Sequence, residues 1–341
     1  MYALAFGIGT KNARQEWLEV YFPAPLFSPP QALVDEIVGA LGKGAYKGGN
    51  VDIELSSGEL EALGGQVSDP VQSKVLAAMF KTKSPCVLTL LETDADLQTT
   101  PEAYLKLHLL SHRFVLPNGQ NLNGIFPLLP NVAWTSQGAI DPDEVADRQL
   151  EARAQGRTLE VTAIDKFPRM TNYVIPSGVR IAHSARVRLG AYLGEGTTVM
   201  HEGFINFNAG AIGPNMIEGR VSQGVAVGAG SDLGGGASTA GTLSGGGDIV
   251  ITIGRDCLVS ANAGTGIPLG DRCTIEAGLY ITPGTVVQIY DEERKPVQRV
   301  KARELAGSSD LLFIRNSLSG EVECRTNRKA IELNKTLHAH N

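Results

Sequence analysis

The chain has 341 residues, of which 43% are hydrophobic and 19% charged, so it can bury a core and carries too little charge for disorder. Its 30 Lys and Arg against 36 Asp and Glu, a net charge of -6, disfavour non-specific binding to nucleic acid, which needs a basic surface. The sequence has no apolar run long enough to cross a membrane, no secretory signal pattern at Met1–Trp17 and no CxxC pair. We therefore expect a cytoplasmic protein with four reduced cysteines.

Residues 1–113 mix apolar runs with helical patterns, which predicts an N-terminal α/β domain. The apolar runs are Met1–Phe6 and Val87–Leu91. Helical patterns cover Ala32–Leu41, Val71–Lys81 and Pro101–Arg113, and the last opens with a proline at the helix start.

Two features of this domain look like functional motifs. The stretch Phe6–Asn12 (FGIGTKN) is glycine-rich like a nucleotide loop, but a single GxG before a poor helix pattern favours turn chemistry. His108 and His112 have i, i+4 helical spacing without the acidic residue of HExxH, which favours two surface residues over a metal site.

Residues 114–173 form a connecting segment that is rich in Asn and Pro at its start. It contains one helical pattern, Asp141–Gln155, whose first turn is acidic, as the helix dipole favours.

Residues 174–290 contain 24 of the 40 glycines and repeat every six residues. The phase is lost around Gln223 and returns in two shorter runs, the second after a two-residue slip. The first run is Ile175, Ile181, Val187, Leu193, Val199, Ile205, Ala211 and Ile217, and the later runs are Ile253 and Val259, then Leu269, Ile275, Ile281 and Val287.

A six-residue period fits neither an α-helix nor a strand that alternates throughout. It fits short strands joined by tight corners, with one inward aliphatic residue per strand and three strands per rung. We therefore predict a mainly β fold, a left-handed parallel β-helix of hexapeptide repeats, with a glycine-rich β-sandwich as the alternative. The segment Ser231–Asp248 interrupts the repeat and is expected to be an excursion loop that is mobile without ligand.

Residues 291–341 form a small C-terminal segment. Residues 311–325 (LLFIRNSLSGEVECR) predict a hairpin with a Ser-Gly turn, and Asn327–His338 is helical in pattern.

His183 and His201 are 18 residues apart, so they should stack on adjacent rungs. Stacked histidines on a β-helix are reminiscent of the zinc sites of γ-type carbonic anhydrases. Zinc needs at least three protein ligands, and no third histidine lies in the repeat, so a solvated or hydrogen-bonded pair is favoured.

Two carboxylates interrupt the repeat in otherwise uncharged surroundings. Glu202 and Glu218 are 16 residues apart and should lie on neighbouring rungs. Glu218 follows the inward Ile217 and stands close to Arg220, which suggests a positioned group able to act as base or nucleophile. The alternative is a surface ion pair between Glu218 and Arg220 with little energetic consequence.

The segment Thr197–Gly247 resembles the tetrahydrodipicolinate N-succinyltransferases of the pseudomonad and actinobacterial type, through MHEGFINFNAG and MIEGR. The C-terminal stretch Val300–Glu323 matches that family as well. The resemblance implies a homotrimer that transfers succinyl from succinyl-CoA to tetrahydrodipicolinate, in diaminopimelate and lysine biosynthesis.

Matched to the family's motifs, Glu218 is the catalytic carboxylate. Cations for the CoA phosphates are expected among Lys301, Arg303 and Arg315. The positions that match acyl-CoA contacts are Arg220, Gly235, Ser238, Ala261, Glu276, Ala277, Gly284, Lys301, Ile314, Arg315, Asn316 and Ser317.

Glu202 matches a residue that in some relatives binds Mg²⁺ on the trimer axis. Their acidic partner one rung earlier is Ala185 here, which puts this metal in doubt. Other functions compatible with the repeat are acyl transfer from acetyl-CoA, a γ-type carbonic anhydrase, or a β-helix without enzymatic activity.

Overall fold

The computed structural model describes residues 1–42, 44–241 and 250–326, in two compact units. Most of the predicted connecting segment groups with the N-terminal residues. Unit 1 comprises residues 1–109, 120–168 and 172–174, and unit 2 comprises residues 110–119, 169–171 and the described residues from 175 onward.

Unit 1 contains two antiparallel sheets. Their strands are β1 (Ala3–Lys11), β2 (Trp17–Tyr21), β3 (Leu26–Phe27), β4 (Val51–Glu54), β5 (Cys86–Leu91), β6 (Val132–Thr135), β7 (Gly138–Ile140) and β8 (Val161–Asp165). The larger sheet has the order β2-β1-β5-β4 with β3 paired to β1, and the smaller has the order β7-β6-β8.

Among the described residues, four of the six helices follow the predicted patterns, namely the first, third, fourth and sixth in chain order. The second helix was not predicted, although Ser56 and Glu59 form a capping box at its start. The helices are α1 (Gln31–Ala40), α2 (Ser57–Gln66), α3 (Pro70–Met79), α4 (Thr100–Ser111), α5 (Ile125–Leu128) and α6 (Val145–Ala154).

The expectations for FGIGTKN and His108 are wrong. Gly7 and Gly9 lie within strand β1, where a Cβ would fall 2.5 Å from a Val20 methyl and 2.3 Å from the Glu19 carbonyl, so they serve close strand packing and not a turn. His108 is fully buried, because its ring accepts the Phe22 N–H at 3.2 Å and lies 2.7 Å from the carbonyl oxygen of Tyr104.

The first strands of unit 2 form a coil, and most of them are two residues long. They are β9 (Arg180–Ile181), β10 (Tyr192–Leu193), β11 (Thr197–Val199), β12 (Phe204–Ile205), β13 (Gly210–Ala211), β14 (Asn215–Ile217), β15 (Arg220–Val221), β16 (Ala226–Val227), β17 (Asp232–Leu233), β18 (Ser238–Thr239), β19 (Thr252–Ile253), β20 (Leu258–Val259), β21 (Gly264–Thr265), β22 (Thr274–Ile275) and β23 (Tyr280–Ile281).

These strands stack in parallel into three sheets, and successive strands along the chain belong to different sheets, so the coil is a β-helix. We name the sheets faces A, B and C in chain order, and the turns between them corners AB, BC and CA. Face A contains β9, β11, β14, β17, β20 and β22; face B contains β12, β15, β18, β21 and β23; face C contains β10, β13, β16 and β19.

The six-residue ladder points into the coil, as predicted, from Val187 to Ile217, and these residues are fully buried. Its first member is an exception, because Ile175 is 79% exposed and precedes the first strand of the coil. The phase shifts between Ile217 and Val221, which are both fully buried although they are only four positions apart instead of six. The shift therefore lies in corner AB, ahead of Gln223.

The excursion expected over Ser231–Asp248 is wrong for its described part. Asp232 pairs with Met216 and Leu258, and Ser238 pairs with Gly264, so both strands belong to rungs. The inward side chains there are Leu233 and Thr239, both buried. Residues 242–248 of that prediction lie outside the described residues.

The C-terminal hairpin is confirmed, while the predicted helix Asn327–His338 lies outside the described residues. The strands of this segment are β24 (Val286–Tyr290), β25 (Pro296–Lys301), β26 (Leu311–Arg315) and β27 (Val322–Thr326). Strand β26 joins the end of face A by pairing with β22, and β27 pairs with both β26 and β24.

All four cysteines are free and buried. Within the described ranges, none of the helices has the length and apolar character needed to cross a membrane.

Candidate active site

Glu218 lies in the short corner AB between β14 and β15, and Arg220 directly follows that corner. Ile217 points inward and is fully buried, so the chain turns directly after it and leaves Glu218 half-buried at the surface of the coil. The Glu218 N–H donates to the Leu233 carbonyl on the next rung at 2.8 Å, which holds the backbone in place. Arg220 begins β15 and is exposed.

The Glu218 carboxylate faces the glycine-rich corner of the next rung. A Cβ placed on Gly235 would lie 3.9 Å from Glu218 Oε2. In the part of the chain that the structure describes, neither Glu218 nor Arg220 has a side-chain hydrogen bond or an ion-pair partner, so the surface ion pair between them is not formed. Both groups are available to a ligand.

Corner AB continues down the coil as a column of small residues. The Asn262 N–H donates to Gly235 O and the Gly278 N–H donates to Ala261 O, both at 2.9 Å, so Gly235, Ala261 and Ala277 lie on successive rungs. A Cβ on Gly234 would meet the Ala261 backbone nitrogen at 2.7 Å, which explains the glycine. An extended ligand can therefore approach the backbone along this corner.

The end of β26 meets the same corner. Glu276 Oε2 accepts the Arg315 N–H at 2.8 Å, which brings the predicted run 314–317 to the rung of Ala277. The Asn316 side chain accepts the N–H groups of Leu318 and Ser319 at 2.9 and 3.1 Å and donates to Glu323 at 2.8 Å, so it builds the hairpin turn.

Gly284 and Lys301 lie at the opposite border of face B, in corner BC. Lys301 pairs with Val286 across the β24–β25 ladder, and the N–H that follows it, on Ala302, donates to Thr285 O at 2.8 Å. The expected cluster of Lys301 and Arg303 with Arg315 is therefore divided between the two borders of face B.

Between these borders, the outer side chains of face B form a column. Strand register aligns Phe204 with Arg220, Arg220 with Ser238, Ser238 with Gly264 and Gly264 with Tyr280. Arg220 and Ser238 are among the predicted site residues, whereas Tyr280 is not. The sequence does contain a signal for an outward side chain at this position, because Tyr280 directly precedes the inward Ile281, just as Arg220 directly precedes the inward Val221.

Glu202 occupies corner AB one rung before Glu218, as predicted, but its carboxylate is already engaged. Oε2 lies 3.2 Å from Arg186 Nη2 and Oε1 lies 2.9 Å from His201 Nδ1. Across the described residues, no three His, Cys, Asp or Glu side chains converge as metal ligands. A carboxylate shared by a guanidinium and an imidazole does not fit a Mg²⁺ site, which prefers several free oxygen ligands.

His183 and His201 pack edge to face, with ring centroids 5.3 Å apart, which confirms that they occupy adjacent rungs.

Two family models match the chain: the middle region of tetrahydrodipicolinate N-succinyltransferase over residues 129–169, and the hexapeptide repeat of succinyl-transferase over residues 250–283. Proteins named 2,3,4,5-tetrahydropyridine-2,6-dicarboxylate N-succinyltransferase match at full length. Those of Pseudomonas putida, Pseudomonas aeruginosa and Vibrio cholerae are 61%, 59% and 52% identical, over 100% of this chain and 99% of each relative.

A crystal structure from Campylobacter jejuni, described as a 2,3,4,5-tetrahydropyridine-2-carboxylate N-succinyltransferase, superposes with a TM-score of 0.89 at 30% identity, covering 97% of this chain and 93% of that one. Together with the full-length relatives and the hexapeptide β-helix, this places the chain in the tetrahydrodipicolinate N-succinyltransferase family of acyltransferases.

Proposed function

We propose that the chain transfers the succinyl group of succinyl-CoA to the ring nitrogen of tetrahydrodipicolinate, on the outer surface of face B. The products are CoA and, after the hydrated ring opens to the ketone, N-succinyl-2-amino-6-oxopimelate, an intermediate of diaminopimelate and lysine biosynthesis. The observation that carries the site is Glu218, a half-buried carboxylate without a partner in the described chain, next to the exposed Arg220.

In this reaction water first adds across the C=N bond of the cyclic imine, which gives the ring nitrogen a hydrogen. That nitrogen then attacks the thioester carbonyl carbon, a C–N bond forms and the C–S bond breaks. Glu218 removes the proton from the nitrogen, and the departing thiolate takes it up. In the covalent version, Glu218 first attacks the thioester and releases CoA, and the nitrogen then opens the acyl anhydride. Backbone N–H groups of the glycine-rich corner are the candidate donors to the developing oxyanion.

The acyl donor lies along corner AB, where Gly235, Ala261 and Ala277 expose the backbone. Its phosphates are assigned to Lys301 and Arg315, since exposed cations bind phosphate by charge-assisted hydrogen bonds. Arg220 is positioned to bind a carboxylate of the diacid substrate or of the succinyl group, because it is exposed and has no ion-pair partner in the described chain.

The proposal includes a left-handed coil, a homotrimer and a cytoplasmic location. Flat faces of a three-sided coil can pack around a three-fold axis and leave clefts between subunits. Four buried free thiols favour a reducing compartment. No step is assigned to Mg²⁺, since the Glu202 carboxylate is engaged by Arg186 and His201.

The test is CoA release from succinyl-CoA, with and without tetrahydrodipicolinate or 2-aminopimelate, and with acetyl-CoA as the competing donor. We expect release that depends on the acceptor and is much faster with succinyl-CoA. Equal turnover of both donors would indicate a general acyltransferase, and no release would contradict the proposal.

A further inference from the structure

The column of outer side chains on face B ends in Tyr280, and the neighbouring residues determine the orientation of its side chain. Ile281, the residue after Tyr280, is fully buried, so alternation along the strand places Tyr280 on the outer surface. Because the strands are parallel and in register, Tyr280 is one rung from Gly264 and two from Ser238, at about 4.8 Å per rung.

The Tyr280 ring lies back over Gly264. A Cβ built on Gly264 would fall 2.3 and 2.5 Å from two ring carbons and 2.6 Å from the Ser238 carbonyl oxygen. The ring therefore occupies the space that a side chain at Gly264 would need, and it is directed along the column toward Ser238 and Arg220.

Nothing in the described chain holds the free end of this ring. Tyr280 is 43% exposed, and its hydroxyl has no hydrogen-bond partner among the described residues; the same is true of the Ser238 hydroxyl. Phe204, at the other end of the column, differs because the Arg188 guanidinium lies 5.8 Å from its ring centroid. Face B thus presents an apolar ring and two free hydroxyls beside corner AB.

We infer that Tyr280 belongs to the acyl-donor site and contacts the pantetheine arm of succinyl-CoA, an inference that rests on the proposed function. The arm is an extended chain with two amides. An aromatic ring that lies over Gly264 offers it a surface for packing, and the hydroxyl offers a hydrogen bond to an amide carbonyl. Tyr280 is accordingly a binding residue of the donor and takes no part in bond making.

The experiment compares steady-state kinetics of Tyr280→Ala, Tyr280→Phe and wild type. Loss of the ring should raise the KM for succinyl-CoA about tenfold with kcat within about twofold, the effect of one aromatic contact. Tyr280→Phe keeps the ring but loses the hydroxyl, and it should raise the KM for succinyl-CoA about threefold. If Tyr280→Ala does not fold, the Phe variant alone decides, and an unchanged KM in that variant then overturns the inference.

A matched control is Tyr192→Ala. Tyr192 is also an outer tyrosine that pairs with a glycine, Gly210, but it lies on face C. Its removal should leave the KM for succinyl-CoA unchanged, and an increase equal to that of Tyr280→Ala would overturn the inference.

A truncated donor locates the contact. With succinyl-pantetheine, which lacks the nucleotide and its phosphates, Tyr280→Ala should raise the KM by the same factor as with succinyl-CoA. If Tyr280→Ala leaves the KM for succinyl-pantetheine unchanged, the contact lies on the nucleotide, and the assignment to the pantetheine arm is overturned. If wild type is active and Tyr280→Ala matches its KM for succinyl-CoA, only this inference fails; if wild type releases no CoA, the proposed function fails.

Discussion

Corner AB carries a carboxylate on two successive rungs, and the two regions differ in what surrounds them. At the first, both oxygens of Glu202 are engaged, by Arg186 and His201, and the side chain is 69% exposed. At the second, Glu218 is half-buried and without a side-chain partner in the described chain.

The difference is in the partners and in the length of the corner. Four residues, 200–203, separate β11 from β12, whereas only Glu218 and Gly219 separate β14 from β15. In the longer corner, Glu202 contacts Arg186 and His201. In the shorter one, Glu218 lies between the inward residues Ile217 and Val221. A shared residue type and a shared corner therefore do not predict a shared role.

The largest expected effect comes from breaking the rung that connects the two regions. Ile205 is fully buried and pairs with Val187 and Val221, so Ile205→Asp buries an unpaired charge and should cost several kcal/mol of unfolding free energy. We expect aggregated or partly unfolded protein by size-exclusion chromatography and circular dichroism.

Ile175→Asp is the matched control, because Ile175 has the same six-residue phase but is 79% exposed. It should melt close to wild type. Equal melting temperatures for Ile205→Asp and wild type would show that the inward assignment is wrong.

Glu218→Gln tests the second region directly. The amide keeps the size of the side chain and removes the base or nucleophile, so kcat should fall by about 10² or more, as for positioned acid–base groups. The Kd for CoA, measured by calorimetry, should change little, since its phosphates are assigned to Lys301 and Arg315. A variant within a few-fold of wild-type kcat would exclude Glu218 from the chemical step.

Rapid-quench mass spectrometry separates the two roles left open for Glu218. Wild-type enzyme mixed with succinyl-CoA alone should show a transient succinyl mass gain on the Glu218 peptide if the intermediate is covalent. The same peptide stays unmodified if Glu218 is a base. Glu218→Gln supplies the blank for adventitious acylation elsewhere in the chain.

Lys301→Ala extends the comparison to the opposite border of face B. Losing one exposed cation should raise the KM for succinyl-CoA about three-fold and leave the KM for succinyl-pantetheine unchanged. Lys295→Ala is the control, because Lys295 is exposed and pairs with Glu293 at 2.6 Å. A Lys301 effect that persists with succinyl-pantetheine would argue against a phosphate contact.

The smallest effect is expected for Glu202→Gln. Its ion pairs are exposed, so their loss should change the unfolding free energy by less than about 1 kcal/mol. The kcat should stay within about twofold of wild type, and it should not depend on added Mg²⁺ or EDTA. A loss of activity comparable to that of Glu218→Gln would remove the distinction between the two corners.

The coil could be predicted from the sequence because its inward residues recur at one fixed spacing. That spacing placed Val187 through Ile217 correctly, but it could not show where the coil begins, and so Ile175 was misassigned. The excursion failed for a similar reason. The glycines of Ser231–Asp248 predicted an excursion, but Leu233 and Thr239 lie between them and fill the core of their rungs.

The errors in unit 1 arise from partners distant in the chain. His108 is buried because its ring accepts the backbone N–H of Phe22, 86 positions earlier, and local helical spacing carries no trace of that contact. Gly7 and Gly9 are required by side chains and backbone of the neighbouring strand. For the site, the sequence indicated Glu218 and Arg220, whereas the division of the cations between two borders depends on the path of β24–β26.

The stacking of the coil also bears on how such a chain can change over evolution. Strand β18 on face B ends at Thr239 and β19 on face C begins at Thr252, yet Ala226 still pairs with Thr252 and Val227 with Ile253. Corner AB shortens between Ile217 and Val221 without loss of pairing on either side. Insertions and deletions are thus absorbed where the chain turns, while a single added residue within a strand would exchange its inner and outer side chains. New loops beside the site can be acquired at a corner without redesign of the core.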